Sequence, residues 1–319
     1  MNELIYFPSF EPQNQKWLKF SLLYLDEFRP IIPESGRNDI SDMYREIYNE
    51  TDLINPFSPQ YIHGENASLK SIEELDKIFQ YPKRYRRQFS NINNWKNQNT
   101  WNYLIYSEKF SYVFKDYCIQ NNLGEENSNG ILVSEEIGYI FMQNLANEIS
   151  NKTNSSIITD SRKFHNYDTY KSIIDTDTIS IQQLAESTIN LKIPMNMEEI
   201  NLSNIIKFRN EHKDLIKEFQ LSLEKIRNKV DDISALKFLG EFDSIYSKSM
   251  KDITLTPLGL GSTLFSIYSL YETNTLDVEE LVGIGGGLSA TYYGVKEIIT
   301  ETNNKRQCVK YFANLKELQ

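Results

Sequence analysis

A chain of 319 residues with 40% hydrophobic and 13% aromatic content can fill one or two packed cores, which excludes global disorder. Its net charge of −10 excludes a general nucleic-acid coat and leaves room only for a local basic patch. The two cysteines, Cys118 and Cys308, are far apart and form no CxxC, which excludes a disulfide framework or cysteine zinc site and points to a reduced, cytoplasmic setting. The first residues lack a basic stretch followed by an apolar one, so no signal peptide is expected.

In chain order, 4–7 is a short apolar run stopped by Pro8 and predicts a strand. Residues 14–25 carry Trp17, Leu18, Leu22 and Leu25 at helical spacing. A second strand follows over 28–32, with Pro30 suggesting an edge or bulge. Strand, helix and strand in that order favour a parallel pair. Ser41 caps a helix to about Glu50, and Ser71 with Glu74 has the capping-box pattern for a short helix over 71–79. The aromatic run 101–119 reads as helical and 121–130 as a surface loop. A helix over 134–150, capped by Ser134, precedes a strand over 156–159 that ends at Asp160. A short helix at 179–186 and a strand at 188–193 close this half.

After Pro194 the pattern changes to helices at 203–229, 233–250 and 305–318. The apolar runs 253–271 and 281–295, separated by an acidic spacer, predict a glycine-rich helical hairpin. The expected fold class is therefore α/β plus all-α. A small, mainly parallel sheet with helices and an aromatic-rich helical insertion occupies 1–194, and a helical domain occupies 195–319.

Three stretches, 17–33, 141–160 and 205–220, resemble in order and spacing a large group of bacterial proteins known only as a domain of unknown function. The resemblance covers roughly residues 1–230. It implies a bacterial cytosolic protein of an accessory gene set, some of whose members lie near phage-defence genes. It implies no activity and no catalytic residues.

Three stretches and two isolated histidines carry candidate chemistry. Asp160 stands where a strand ends, a common place for working residues in α/β sheets. With Asp26, His165 and Asp168 it is the candidate acid–base or divalent-metal cluster of a hydrolase or nuclease. The bland alternative is a turn-forming aspartate before a polar loop. The stretch 81–103 holds five cations, Lys83, Arg84, Arg86, Arg87 and Lys96, and no acid. Interleaved aromatics such as Trp95 give it the composition of a single-strand nucleic-acid surface. A solvated turn docking onto acidic groups is the competing interpretation. His63 lies in a Pro/Gly loop and His212 near an apolar helical stripe, neither with a cysteine at metal spacing.

The glycines at 283–287 fail as a nucleotide loop, because Leu288 stands where GxGxxG needs its third glycine and no GK[ST] follows. Gly283 and Gly287 instead form GxxxG, and Gly286, Ala290 and Gly294 form a second small-residue ridge for close helix packing. Insertion of this hairpin into a membrane is the alternative to a buried hairpin, which is favoured because the second run is too short to span a bilayer. The functional expectation is an intracellular interaction or effector protein that associates with a protein partner or with itself. A metal-dependent hydrolase and a membrane-perturbing effector are the alternatives. No cofactor is evident, a divalent metal belonging only to the hydrolase alternative.

Overall fold

The computed structural model describes residues 3–153, 155–161, 163, 164, 167, 189–194, 199–214, 216, 217 and 250–255. The described elements run β1 (Leu4–Tyr6), α1 (Gln15–Tyr24), β2 (Arg29–Pro30), α2 (Asp42–Glu50), α3 (Tyr61–Gln80) and β3 (Trp101–Tyr106). They continue through α4 (Tyr112–Gln120), β4 (Gly124–Asn127), β5 (Gly130–Ser134), α5 (Glu135–Thr153), β6 (Ser156–Ile158), β7 (Ile189–Pro194), α6 (Leu202–Glu211) and β8 (Met250–Leu255).

The predicted parallel sheet is present. β1 is its centre, flanked by β2 on one side and β6 on the other, both parallel to it. A further extended segment runs beside β2 through two isolated parallel bridges, Phe28 with Ile54 and Ile31 with Phe57. Their spacing has a cause in the sequence. The N–H groups of Phe28 and Ile32 donate to Leu53 and Phe57 on that side, and Pro30 between them has no N–H to give. Ser41 caps α2 as predicted, its Oγ accepting from the Tyr44 N–H at 3.2 Å.

Three expectations are corrected. The short helix 71–79 is the last part of the 20-residue α3. Ser71 is a buried interior residue whose Oγ accepts from Asn144 at 3.1 Å, and the capping box is made upstream by Gln60 and His63. The aromatic run 101–119 is not one helix but β3 followed by α4. The expected loop 121–130 contains β4, which turns through Ser128 and Asn129 into β5. The three strands β3, β5 and β4 thus form a second, antiparallel sheet of the same size as the first, so the fold is mixed α/β.

Helix α5 joins the two sheets. It is buried along almost its whole length and touches α3, β1 and β6 as well as β3 and β5. A single apolar stripe of Ile137, Ile140, Phe141, Leu145 and Ile149 does not account for that burial. Its polar positions are buried too and find partners on α3: Asn144 donates to Ser71 and Glu74, and Glu148 pairs with Lys70 at 2.6 Å. Gly138 lets α5 close onto β3, since a Cβ there would overlap the Tyr103 ring.

Beyond Pro194, helix α6 is seated on α1. The guanidinium of Arg209, buried on α6, donates to the carbonyls of Leu22 at 3.0 Å and Leu25 at 2.6 Å, to that of Asp26, and to the carboxylate of Asp52 at 3.1 Å. It therefore satisfies carbonyls at and just beyond the C-terminal end of α1, with a charge of the sign that end favours. Strand β8 pairs with β7 antiparallel, so residues 253–255 are extended where a helical run was expected to begin, as is Met250 where the preceding helix was expected to end. The remainder of the predicted hairpin, with Gly283, Gly286, Gly287, Ala290 and Gly294, lies outside the described residues. Among the described residues, no helix is long and apolar enough to cross a membrane.

Candidate functional site

From β1 the chain passes through α1 to β2 on one side of the sheet, while β6 lies on the other side of β1. Chain direction therefore divides at the carboxyl ends of β1 and β6. A parallel sheet leaves a crevice at such a point, because the connecting segments run away from each other. The crevice is present and measures about 770 Å³. Its walls come from five parts of the chain: Pro8 and Ser9 after β1, Gln13 to Gln15 with Lys19 at the start of α1, Asn102 and Tyr103 of β3, Glu135 and Tyr139 of α5, and Asp160, Ser161 and Phe164 after β6.

Asp160 lies in this crevice, half-buried, and both oxygens of its carboxylate are engaged. One oxygen accepts from the Tyr6 hydroxyl at 2.6 Å. The other accepts from the backbone N–H groups of Gln13 at 2.7 Å and Asn14 at 3.1 Å. The carboxylate thus holds the chain as it enters α1 and places a negative charge at the positive end of that helix. Asn14 completes the entry, its Oδ1 accepting from the Trp17 N–H at 3.2 Å. Burial, then the neighbouring Asp160 charge, pushes the Tyr6 hydroxyl well above the usual phenol range, so it stays a donor.

The other ionic groups of the crevice are engaged as well. Glu135 pairs with Lys163 at 2.6 Å, and Glu136 approaches the same ammonium at 3.4 Å. Burial works against the charge on Lys163, yet the two carboxylates together hold it above the ordinary lysine value. Lys19 donates to the Ile200 carbonyl at 2.8 Å, and burial lowers its pKa. Beneath the crevice, Tyr139 and Phe164 are buried and stacked with ring centres 4.1 Å apart. Tyr103 donates to the Pro8 carbonyl at 2.7 Å, and burial first, then the Glu135 charge, raises its pKa. What the rim offers a ligand is neutral: the carboxamides of Gln15 and Asn102 and the hydroxyls of Ser9 and Ser161, those of Gln13 and Asn14 being bonded to Glu11 and Trp17.

The structure does not bring Asp26 to Asp160. Asp26 follows the far end of α1, about 15 Å along a helix of ten residues, next to Arg209. His165 and Asp168 lie outside the described residues. Among the described residues, no group of three or more His, Cys, Asp or Glu side chains is placed to hold a metal ion. His63 is buried with Nδ1 accepting from the Gln60 N–H at 3.1 Å, so it serves the start of α3. His212 ends α6 with its ring 4.4 Å from that of Phe208.

In the basic stretch, Lys83, Arg84, Arg86, Arg87 and Lys96 are all exposed, while Trp95 is buried. The amides of the crevice rim, Asn102 above all, were not singled out by the sequence. Asn14 had a signal as a helix cap, whereas Asn102 becomes adjacent only through the pairing of the second sheet. No protein-family model, curated protein or solved structure matches the chain.

Proposed function

We propose that this chain is a ligand-binding effector whose crevice takes a small uncharged molecule rich in hydrogen-bonding groups, of the nucleoside or sugar class. The observation that carries this is the chemistry of the rim. A cleft of about 770 Å³ suits a ligand of that size, and its carboxamides and hydroxyls are neutral, while Glu135 is ion-paired and Asp160 and Lys19 are each hydrogen-bonded within the chain. A hydrolase centred on Asp160 would need its carboxylate to turn from Tyr6 and two backbone donors toward a substrate.

Helix α1 supplies a route from ligand to response. Its N-terminal end forms one wall of the crevice, and its C-terminal end is gripped by Arg209 of α6. A ligand that draws on Gln15 acts on the helix that carries α6. A protein partner or a second copy then reads the change. Membership of a bacterial accessory system rests on the resemblance of residues 1–230 alone.

The test is a thermal-shift panel of nucleosides, free sugars and their phosphorylated forms at 1 mM, repeated on Asn102→Ala. The expected result is that an uncharged member raises the melting temperature of the native chain and not of the variant. If no uncharged member does so, and divalent-metal-dependent nucleic-acid cleavage appears that Asp160→Asn abolishes, the hydrolase takes its place.

A further inference from the structure

The basic stretch is not absorbed by the crevice, and the structure separates its two components. Its aromatics are mostly anchors. Tyr85, Phe89 and Trp95 are buried, as is Ile92 between them, with the Phe89 ring 4.9 Å from those of both Trp95 and Tyr167. Its cations are what the anchors leave outside. Residues 81–89 form consecutive tight turns, with the N–H of Arg84 donating to Tyr81, that of Tyr85 to Pro82, and those of Gln88 and Phe89 to Tyr85. Lys83, Arg84 and Arg86 are exposed on these turns and make no ion pair with any described residue, although the chain has ten more acids than bases.

Two further features narrow what such a surface accepts. One aromatic stays outside: Tyr81, which ends α3, is 53% exposed beside the cations. The continuation of the turn is a rim of exposed amides, Asn91, Asn93, Asn94 and Asn97, with no acid among them. Cations and amides are the groups that contact phosphodiesters and sugars, and an exposed ring stacks on an unpaired base. A duplex offers no free base face, and the short 3-10 helix of this stretch, Ile92–Lys96, is anchored inward by Ile92 and Trp95 and is too short to enter a groove.

We propose that the turn 81–97 is a binding surface for single-stranded nucleic acid, with Lys83, Arg84 and Arg86 on the phosphates and Tyr81 stacked on a base. Recognition is by backbone charge and stacking, so it is largely independent of sequence. Binding is strongly salt-dependent because each phosphate contact releases condensed counterion.

The experiment is fluorescence anisotropy of the full chain with a labelled 20-nucleotide mixed-sequence strand, as RNA and as DNA, at 50 and 200 mM salt. For three to four phosphate contacts, the fourfold rise in salt weakens single-strand binding roughly 20- to 50-fold. The variant K83E/R84E/R86E loses binding at 50 mM salt with its melting temperature unchanged, since all three side chains are exposed. Tyr81→Ala weakens the single strand several-fold and leaves any duplex binding unaltered. The proposal is overturned if the strand does not bind at 50 mM salt, or if the triple variant binds as the native chain does. It is also overturned if polyglutamate displaces the strand at equal charge while Tyr81→Ala has no effect, an outcome that assigns the surface to an acidic protein.

Discussion

Lys109 offers the sharpest quantitative test of the packing described above. It ends the short turn after β3 and is buried, with its Nζ 4.6 Å from the centre of the Phe10 ring and 3.7 Å from the Met142 Sδ. The adjacent Glu108 does not neutralise it, because that carboxylate is turned to the backbone N–H groups of Glu34 at 2.9 Å and Ser35 at 3.0 Å. Burial therefore pushes the ammonium down to about 7 from 10.5, with only partial relief from the charge of Glu108. In the unfolded chain Lys109 keeps its proton up to its ordinary value. Between those limits the unfolded state binds one more proton than the folded state, so stability rises with pH. At about 1.4 kcal/mol per pH unit, the full interval corresponds to roughly 5 kcal/mol, all of it a cost to the folded protein below pH 7. Lys109→Met keeps an unbranched side chain of similar length and removes the titration. In urea denaturation the variant is expected to exceed the native chain in stability near neutrality. Its advantage should shrink by about 1 kcal/mol between pH 7.5 and 8.5. Taking the difference between the two proteins cancels groups common to both. A difference constant across that interval would show that the folded protein does not release the Lys109 proton near neutrality and would refute the reasoning.

Other outcomes follow from single contacts. Asp160→Ala strands the Tyr6 hydroxyl and two backbone donors and is expected to cost about 2–4 kcal/mol in urea midpoint experiments, with Asn14→Ala costing about 1 kcal/mol through the lost cap. Arg209→Ala leaves the carbonyls of Leu22, Leu25 and Asp26 without their donor and is expected to cost about 3 kcal/mol, with amide exchange in α6 rising more than in α5. Cys118 is buried and its thiol is pushed up by that burial, so it should react with a thiol reagent only at the rate of unfolding.

The parallel sheet was legible because its signals are local. Leu4 to Tyr6, the spacing of Trp17, Leu18 and Leu22, and the run into Asp160 each identify their element without help from the rest of the chain. The second sheet was not, for two reasons. Gly124–Asn127 has no apolar alternation, and its place is fixed by backbone pairing to β5, which leaves no mark in side-chain pattern. Trp101–Tyr106 is too short for its alternation to stand out from the aromatics of α4 that follow. In the sequence, Ser71 with Glu74 reads as the capped start of a helix and His63 as a loop residue, although Gly64, Ser68 and Ser71 all lie inside α3. They are contact points instead: a Cβ at Gly64 would overlap the Lys109 carbonyl, and Ser68 Oγ accepts from the Ser111 N–H at 2.9 Å. Of the candidate site, the strand-end position of Asp160 was readable. Its partners were not, since Tyr6 and Gln13 lie about 150 residues away and meet it only because β1 and β6 are neighbours.

The carboxylate that holds the entry to α1 also decides what the crevice refuses. Parallel sheets commonly offer the N-terminus of the first helix to a phosphate, and here that position already has a tenant tethered to the same chain. A phosphorylated ligand would have to evict Asp160 from two backbone donors and then sit beside it, with like charges about 5 Å apart opposing each other by roughly 3 kcal/mol at an effective dielectric of 20. At the start of α1 that amounts to more than a hundredfold bias, so an anion would be kept from this helix end by a charge the protein itself carries.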